Sequence, residues 1–481
     1  MDLTITLISH TNSGKTTLAR TLLRRDVGEQ RDREHVTQES TEYLWAEAEG
    51  HRLFLWDTPG LGSTPLLLKR IALQKGPVLW FMSQVWDRVR DAGLYYSQLA
   101  LRTAVERADV MLYTVNVSEP PATAGYVSME LSVLAKIGKP VIVLLNYTGP
   151  PRQTADGRGD PEAEAWRSHL TRCPAVKAVL PLDAFFRCWV QESVLMDAIG
   201  ASLPGTKREA FQTLTGAWRE DRTTTFREAM EVLSAQLVQS AMDREAAPRE
   251  KLMQRIGINR GALDAAYEKA QSKMLARLEE RSRTAADTLI RLHSIDGSSN
   301  FQPTAQGSDF GIPAKVYESV WGAVGAALTG AAAGLAADIH TGGLGFGGGT
   351  VAGFFIGGAG SWLLARGYNL ARGDDDAVRW TLPHFIAQAE ISLVTYLAVA
   401  HHGRGRGEWQ DTVHPPHWMA AARAAIATRK QALETVWKRA GGKAPDALLL
   451  EEETSEILTR CAYPLMASLY PGIGLEWLKS K

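Results

Sequence analysis

The chain has 481 residues, a length that suggests about three domains. Its 53 basic and 53 acidic residues leave no net charge. That removes a global electrostatic case for nucleic acid and leaves only a local basic patch open. Hydrophobic residues make up 45%, a globular composition. The three cysteines (Cys173, Cys188, Cys461) are scattered, without Cys-x-x-Cys or a nearby histidine cluster. A disulfide frame or a zinc site is therefore excluded, and reduced thiols of a cytosolic protein are expected. The N-terminus enters an apolar strand directly, with no leader-like segment, so a cytoplasmic location is expected.

In chain order, the run Leu3–Ile8 reads as a strand, and Ser9-His-Thr-Asn-Ser-Gly-Lys-Thr-Thr17 follows it. Set against G-x-x-x-x-G-K-[ST], every fixed position is met except the first, where Ser9 replaces Gly. In such a loop the backbone N–H groups around Ser13 and Gly14 face phosphate oxygens. Lys15 reaches the β/γ-phosphates, and the Thr16 hydroxyl, followed by Thr17, ligates Mg²⁺. The helix beginning behind the loop adds partial positive charge. The polar stretch 26–41 is where a first switch loop is expected, with Thr37 the candidate to complete the Mg²⁺ shell and Thr41 the runner-up.

Residues 43–56 read as two strands joined at Glu49-Gly50. They lead to Asp57-Thr-Pro-Gly60, the D-x-x-G pattern, in which the aspartate at a strand tip holds Mg²⁺ and the Gly60 amide senses a γ-phosphate. Residue 61 is Leu rather than a water-orienting Gln, so turnover is expected to be slow. Residues 61–105 are helical in pattern and rich in aromatics, and read as an insertion in the second switch region. A strand at Val110–Val115 follows, then a helix around 126–137 and a fully apolar strand, Pro140–Asn146.

At the end of that last strand guanine is normally read by N-K-x-D, and here the residues are Asn146-Tyr-Thr-Gly149. Losing the carboxylate–base pair, worth about 1.5–3 kcal/mol, weakens guanine preference by roughly ten- to a hundredfold. After a loop at 150–165, a final strand at 175–182 leads to Asp183, which could supply the missing carboxylate or simply N-cap the next helix.

These residues resemble the Era-like, translation-factor-type branch of the small GTPases over roughly residues 1–200. Asn12 stands at the asparagine of that branch's first loop, which in several members ligates a potassium ion that assists hydrolysis. Asp57-Thr-Pro-Gly-Leu, Trp80-Phe-Met-Ser-Gln-Val-Trp86 and Leu145-Asn-Tyr-Thr-Gly-Pro-Pro151 are similar, more narrowly, to an uncharacterised bacterial family. That family joins an Era-like head to a C-terminal domain of unknown function. The resemblance implies an α/β P-loop head with helices on both faces of a mostly parallel sheet. It also implies GTP/GDP and Mg²⁺ as ligands, K⁺ as an optional one, a protein partner and a nucleotide-dependent dimer.

Beyond Pro204-Gly205 the pattern is all-α: long amphipathic helices over 205–295, broken near Pro248 and Gly257, then a linker at 296–313 and a helical domain at 314–481. Within it, residues 319–365 form a Gly/Ala-rich hairpin, the stretch 320–337 holding four Gly and eight Ala. Small residues at every fourth position allow close helix pairing, either in a bilayer or in a soluble core. Both alternatives stay open, the first placing the protein at the inner membrane. Helices are expected at 382–399, 418–439 and 454–478, with His401-His-Gly-Arg-Gly-Arg-Gly407 a solvated loop between the first two.

The reading as a whole is a Mg²⁺-dependent GTP-binding, slowly hydrolysing switch that relays nucleotide state to the helical half. Lys15, Asn12 and Gly60 are its catalytic candidates. A non-hydrolysing nucleotide-bound scaffold or membrane adaptor is the alternative, and an ATPase a third.

Overall fold

The computed structural model of the chain describes residues 1–27, 40–62, 64–72, 92–149, 161–246, 260–295, 371–372, 377–406, 415–470 and 473–475. Thr37, the linker 296–313 and the hairpin 319–365 lie outside them. The described residues form two compact units. The first is Met1–Thr224 with the described residues of 400–407 and 472–481; the second is the remainder, 225–399 and 408–471.

The first unit opens with β1 (Asp2–Ile8), α1 (Lys15–Leu23), β2 (Thr41–Ala48), β3 (His51–Asp57), α2 (Thr64–Ala72) and α3 (Ala92–Glu106). It continues with β4 (Val110–Asn116), α4 (Gly125–Ala135), β5 (Val141–Asn146), α5 (Pro161–Leu170), β6 (Val176–Pro181) and α6 (Trp189–Ser202). The six strands lie in the order β2-β3-β1-β4-β5-β6. All neighbours are parallel except β2 and β3, which form an antiparallel hairpin. Its turn residues, Glu49 and Gly50, both have positive φ (48° and 75°), the backbone of a two-residue turn that matches strand twist.

A parallel sheet covered on both faces needs strands that are apolar on both sides, and β4 and β5 are. Leu112, Ile142 and Leu144 join Leu3, Ile5, Leu7, Leu18 and Leu22 in one core layer. Their neighbours Met111, Tyr113, Val143 and Leu145 join Ile8, Leu101, Val127, Leu131 and Trp166 in the other. Parallel pairing brings the C-terminal ends of β1, β3, β4 and β5 to one edge, where Leu7 stands beside Asp57 and Asn116 beside Asn146. Strand β2, at the edge, carries Glu42 and Glu47 and has no fully buried residue. The stretch expected as a loop at 150–165 becomes helical from Pro161, a residue suited to a first helical turn because the amide it lacks has no partner there.

The boundary between the units falls within α7 (Gly205–Met242). The second unit continues with β7 (Arg244–Ala246), α8 (Arg260–Leu292), β8 (Ala371–Arg372), β9 (Ala377–Arg379) and α9 (Leu382–Ala400). It ends with α10 (Pro416–Ala427), α11 (Lys430–Ala440) and α12 (Ala447–Leu469). It is helical as expected, with one small antiparallel sheet in the order β7-β9-β8. Asp243, just before β7, pairs with Arg277 (2.9 Å) and Arg281 (2.9 Å) on α8. The single helix expected over 418–439 is two, separated at Thr428-Arg429. Among the described residues one helix, Leu382–Ala400, is long and apolar enough to cross a membrane, and most of it is buried within the protein.

Candidate nucleotide site

The loop between β1 and α1 is built by its own side chains. Gly14 takes a left-handed conformation (φ 84°) as the N-cap of α1, and Asn12 is also left-handed (φ 60°), a region asparagine tolerates better than most residues. Ser9, at the position where the motif has Gly, is fully buried. Its hydroxyl contacts the Ser13 hydroxyl and accepts from Lys15 Nζ at 3.1 Å. Lys15 also donates to the His10 carbonyl at 3.1 Å. The loop thus holds its lysine folded inward. Burial pushes the Lys15 ammonium from its ordinary 10.5 down to about 8, against the opposing pull of the Asp57 and Glu130 carboxylates.

Thr16 and Asp57 meet at the strand ends, Thr16 Oγ1 donating to Asp57 Oδ2 at 2.6 Å. Asp57 is 1% exposed, and its other oxygen, Oδ1, is buried with no hydrogen-bond partner among the described residues. Burial raises the carboxyl's pKa, while the Thr16 bond and the Lys15 charge oppose that shift. An unsatisfied carboxylate oxygen beside a hydroxyl fits a hard oxygen-liganded cation such as Mg²⁺. Gly60 lies against the loop, since a Cβ there would come within 2.7 Å of Thr11 Cα. Leu61 continues the contact by donating its amide to the Ser9 carbonyl at 2.9 Å, and its side chain is fully buried.

Asn146, at the tip of β5, links two loops. Its Nδ2 donates to the Ser13 carbonyl at 3.0 Å, and its Oδ1 accepts from the Ala184 amide at 2.9 Å. Tyr147 leans toward the phosphate loop, its hydroxyl 3.1 Å from where a Gly14 Cβ would be. On its other side its ring meets that of Phe185, with centroids 5.4 Å apart and tilted by 35°. Asp183 is buried, and its oxygens accept from the Gly149 and Phe185 amides, both at 2.7 Å. It therefore ties the Asn146–Gly149 loop to the Asp183–Phe186 loop.

Two features escape the sequence reading. The first is Glu130 on α4, a fully buried carboxylate. It accepts from Thr64 on α2 at 2.9 Å and from the Tyr113 hydroxyl at 2.7 Å, and it pairs with His10 Nδ1 of the phosphate loop at 2.7 Å. A glutamate on the same helical face as Val127 and Leu131 is the signal that could have found it. The second is the segment His401–Arg406, expected as a solvated loop. His401 and His402 are 2% and 4% exposed. The segment belongs to the first unit, where Phe186 forms a bridge with His402 and Arg404 pairs with Asp26 at 3.2 Å. Isolated side-chain patterns carry no trace of such long-range docking.

Residues 4–147 match the family model of a 50S ribosome-binding GTPase. No curated protein matches the chain. A solved structure of an Aquifex aeolicus Era variant bound to GDP and aluminium fluoride is 15% identical, covers 60% of this chain and 90% of its own, and has a TM-score of 0.31. Era in complex with MgGDPNP and a segment of 16S ribosomal RNA is 16% identical, with coverages of 58% and 89% and a TM-score of 0.31. An SsGBP variant is 16% identical, with coverages of 38% and 50% and a TM-score of 0.23. By the family match over residues 4–147 and by its own phosphate-loop and D-x-x-G motifs, the N-terminal part of this chain carries a P-loop GTPase domain, followed by a helical C-terminal half.

Proposed function

We propose that the head is a Mg²⁺-dependent GTP switch that hydrolyses its nucleotide slowly when alone. The observation that carries this is the Thr16–Asp57 pair, with one Asp57 oxygen buried and unsatisfied next to the buried Lys15. Lys15 neutralises charge on the outer phosphates, turning from the Ser9 and His10 oxygens to phosphate oxygens when nucleotide enters. Thr16 and Asp57 would hold Mg²⁺, which would supply screening of the phosphate charge. The Gly60 amide reports the γ-phosphate. The Tyr147 and Phe185 rings supply apolar faces for the purine and take over part of the affinity lost with the base-reading carboxylate.

Slow turnover follows from Leu61, whose buried alkyl side chain offers no group to orient water. Asn12 is the residue for a K⁺ ion that speeds the reaction. The nucleotide state passes to the helical half, and the Gly/Ala-rich stretch 319–365, with small residues at every fourth position, is its candidate for membrane contact. Steady-state phosphate release from the full chain with GTP and Mg²⁺, in potassium and in sodium, tests the proposal. Slow release that is faster in potassium and lost in Lys15→Ala is expected. Tight GTP binding with no release in either buffer would instead support a non-hydrolysing scaffold.

A further inference from the structure

The Asp183–Phe186 loop is held from behind by a piece of chain more than two hundred residues later in the sequence. Gly403 donates its amide to the Phe185 carbonyl at 3.1 Å, and Gly405 donates to the Ala184 carbonyl at 3.1 Å. That same Ala184 carbonyl accepts from Thr21 on α1 at 3.0 Å, and the Ala184 amide is the one that meets Asn146. The Arg406 guanidinium lies over the Phe186 ring, 3.9 Å from its centroid.

This fit leaves no room for side chains at the two glycines. A Cβ on Gly403 would overlap the Ala184 carbonyl, its carbon lying at 2.7 Å. A Cβ on Gly405 would come within 2.7 Å of Thr17 Cγ2, on the first turn of α1. Close approach of backbone to backbone is a use for which glycine is the default. The segment therefore meets both the first turn behind the phosphate loop and the backbone of the loop that carries Phe185.

We infer that residues 401–406 are positioning residues of the nucleotide site, fixing the Ala184–Phe186 backbone where the purine base is received. This rests on the nucleotide reading given above. Ala184 has its amide on the Asn146 side and its carbonyl on the Gly405 side, so displacing the segment tilts the peptide units that carry both groups. The phosphate loop keeps its own contacts among Ser9, Ser13 and Lys15, and Thr16 keeps its bond to Asp57, so phosphate binding depends on the segment far less than base binding does. Because the segment lies in the chain between α9 and α10, base binding and the docking of 401–406 become linked equilibria, each strengthening the other.

The test uses the full-length protein and compares GTP and GDP with inorganic tripolyphosphate, a probe without a base, at fixed Mg²⁺. Gly403→Ala is expected to weaken GTP and GDP by about tenfold, as expected for losing one or two hydrogen bonds, and to leave tripolyphosphate within about twofold. Arg406→Ala, which leaves the backbone unchanged, is expected to act in the same direction by a smaller factor, with partial rescue in Arg406→Lys. Hydrogen exchange across 400–406 is expected to slow when GTP binds and not when tripolyphosphate binds. The inference is overturned if folded Arg406→Ala and Gly403→Ala proteins bind GTP as the wild type does. It is equally overturned if they lose GTP and tripolyphosphate in equal proportion. A wild-type chain that binds neither ligand contradicts the nucleotide reading itself.

Discussion

Asn146 and Ser13 are joined by a 3.0 Å hydrogen bond from the side-chain amide of one to the carbonyl of the other, across 133 residues of sequence. The bond fastens the end of β5 to the phosphate loop, and the same amide group takes the Ala184 N–H on its other side. Asn146 thus connects the loop for phosphates with the loop at Ala184. Replacing Asn146 with Ala removes both bonds and leaves a buried carbonyl and a buried amide unsatisfied. Stability is expected to fall by about 1–3 kcal/mol and nucleotide affinity by roughly tenfold or more. Denaturant titration and equilibrium nucleotide binding on the same variant check both numbers.

Glu130 makes a second long-range tie, to His10, Thr64 and Tyr113. Burial, and then the adjacent Glu130 carboxylate, keep the Tyr113 hydroxyl protonated far above its ordinary range. Replacing Glu130 with Leu strands two buried hydroxyls, and thermal unfolding is expected several degrees lower. Glu130→Gln retains an acceptor and is expected to lose less. Equal melting temperatures for wild type and Glu130→Leu would show that the tie contributes nothing to stability.

The phosphate loop and Asp57 are legible in the sequence because phosphate chemistry requires a fixed spacing of Gly, Lys and Thr behind a strand. The six strands are legible too, since β4 and β5 have to be apolar on both faces. Glu130 is legible only as an acid on the face of Val127 and Leu131; its partners His10, Thr64 and Tyr113 are not, because they lie on other elements. The docking of Gly403 and Gly405 is not either; their short Gly-Arg-Gly-Arg run reads as a solvated turn until its partner, the Ala184 carbonyl, is known. The same holds for Asp183, whose amide partners at Gly149 and Phe185 become visible only once the two loops are side by side.

Lys15 gives a pH dependence with a definite sign. Its folded pKa, about 8, lies below its ordinary 10.5. Between those values the unfolded chain holds a proton that the folded chain has released, so this group makes the protein more stable as pH rises from about 8 to 10.5. Below 8 the full cost of the buried ammonium is present. Triphosphate binding needs the charged form, so affinity is expected to be flat below pH 8 and to fall above it. Lys15→Arg, charged throughout, is expected to remove that break, and a wild-type affinity profile without a break near 8 would contradict the assignment.

In the second unit His384 stacks on Trp380, with ring centroids 4.0 Å apart, and burial lowers its pKa to about 3. From its ordinary 6.5 down to about 3 the unfolded chain binds a proton that the folded chain refuses, so acid favours unfolding over that window. His384→Leu is expected to raise stability at pH 4–5 relative to pH 7, compared with the wild type. Chemical denaturation at the two pH values measures the difference, and a parallel loss in both proteins would assign the acid sensitivity to other groups.

The central claim is that this head binds guanine nucleotide through Lys15, Thr16 and Asp57. Equilibrium titration of the full chain with GTP, GDP and ATP, with and without Mg²⁺, tests it most directly, with Lys15→Ala and Asp57→Ala in parallel. The account predicts saturable binding of GTP and GDP, weaker binding of ATP, GTP affinity that rises with Mg²⁺, and loss of binding in Lys15→Ala. In Asp57→Ala it predicts that the Mg²⁺ effect disappears. Binding of GTP that is indifferent to Mg²⁺ and unchanged in a folded Lys15→Ala protein would contradict it.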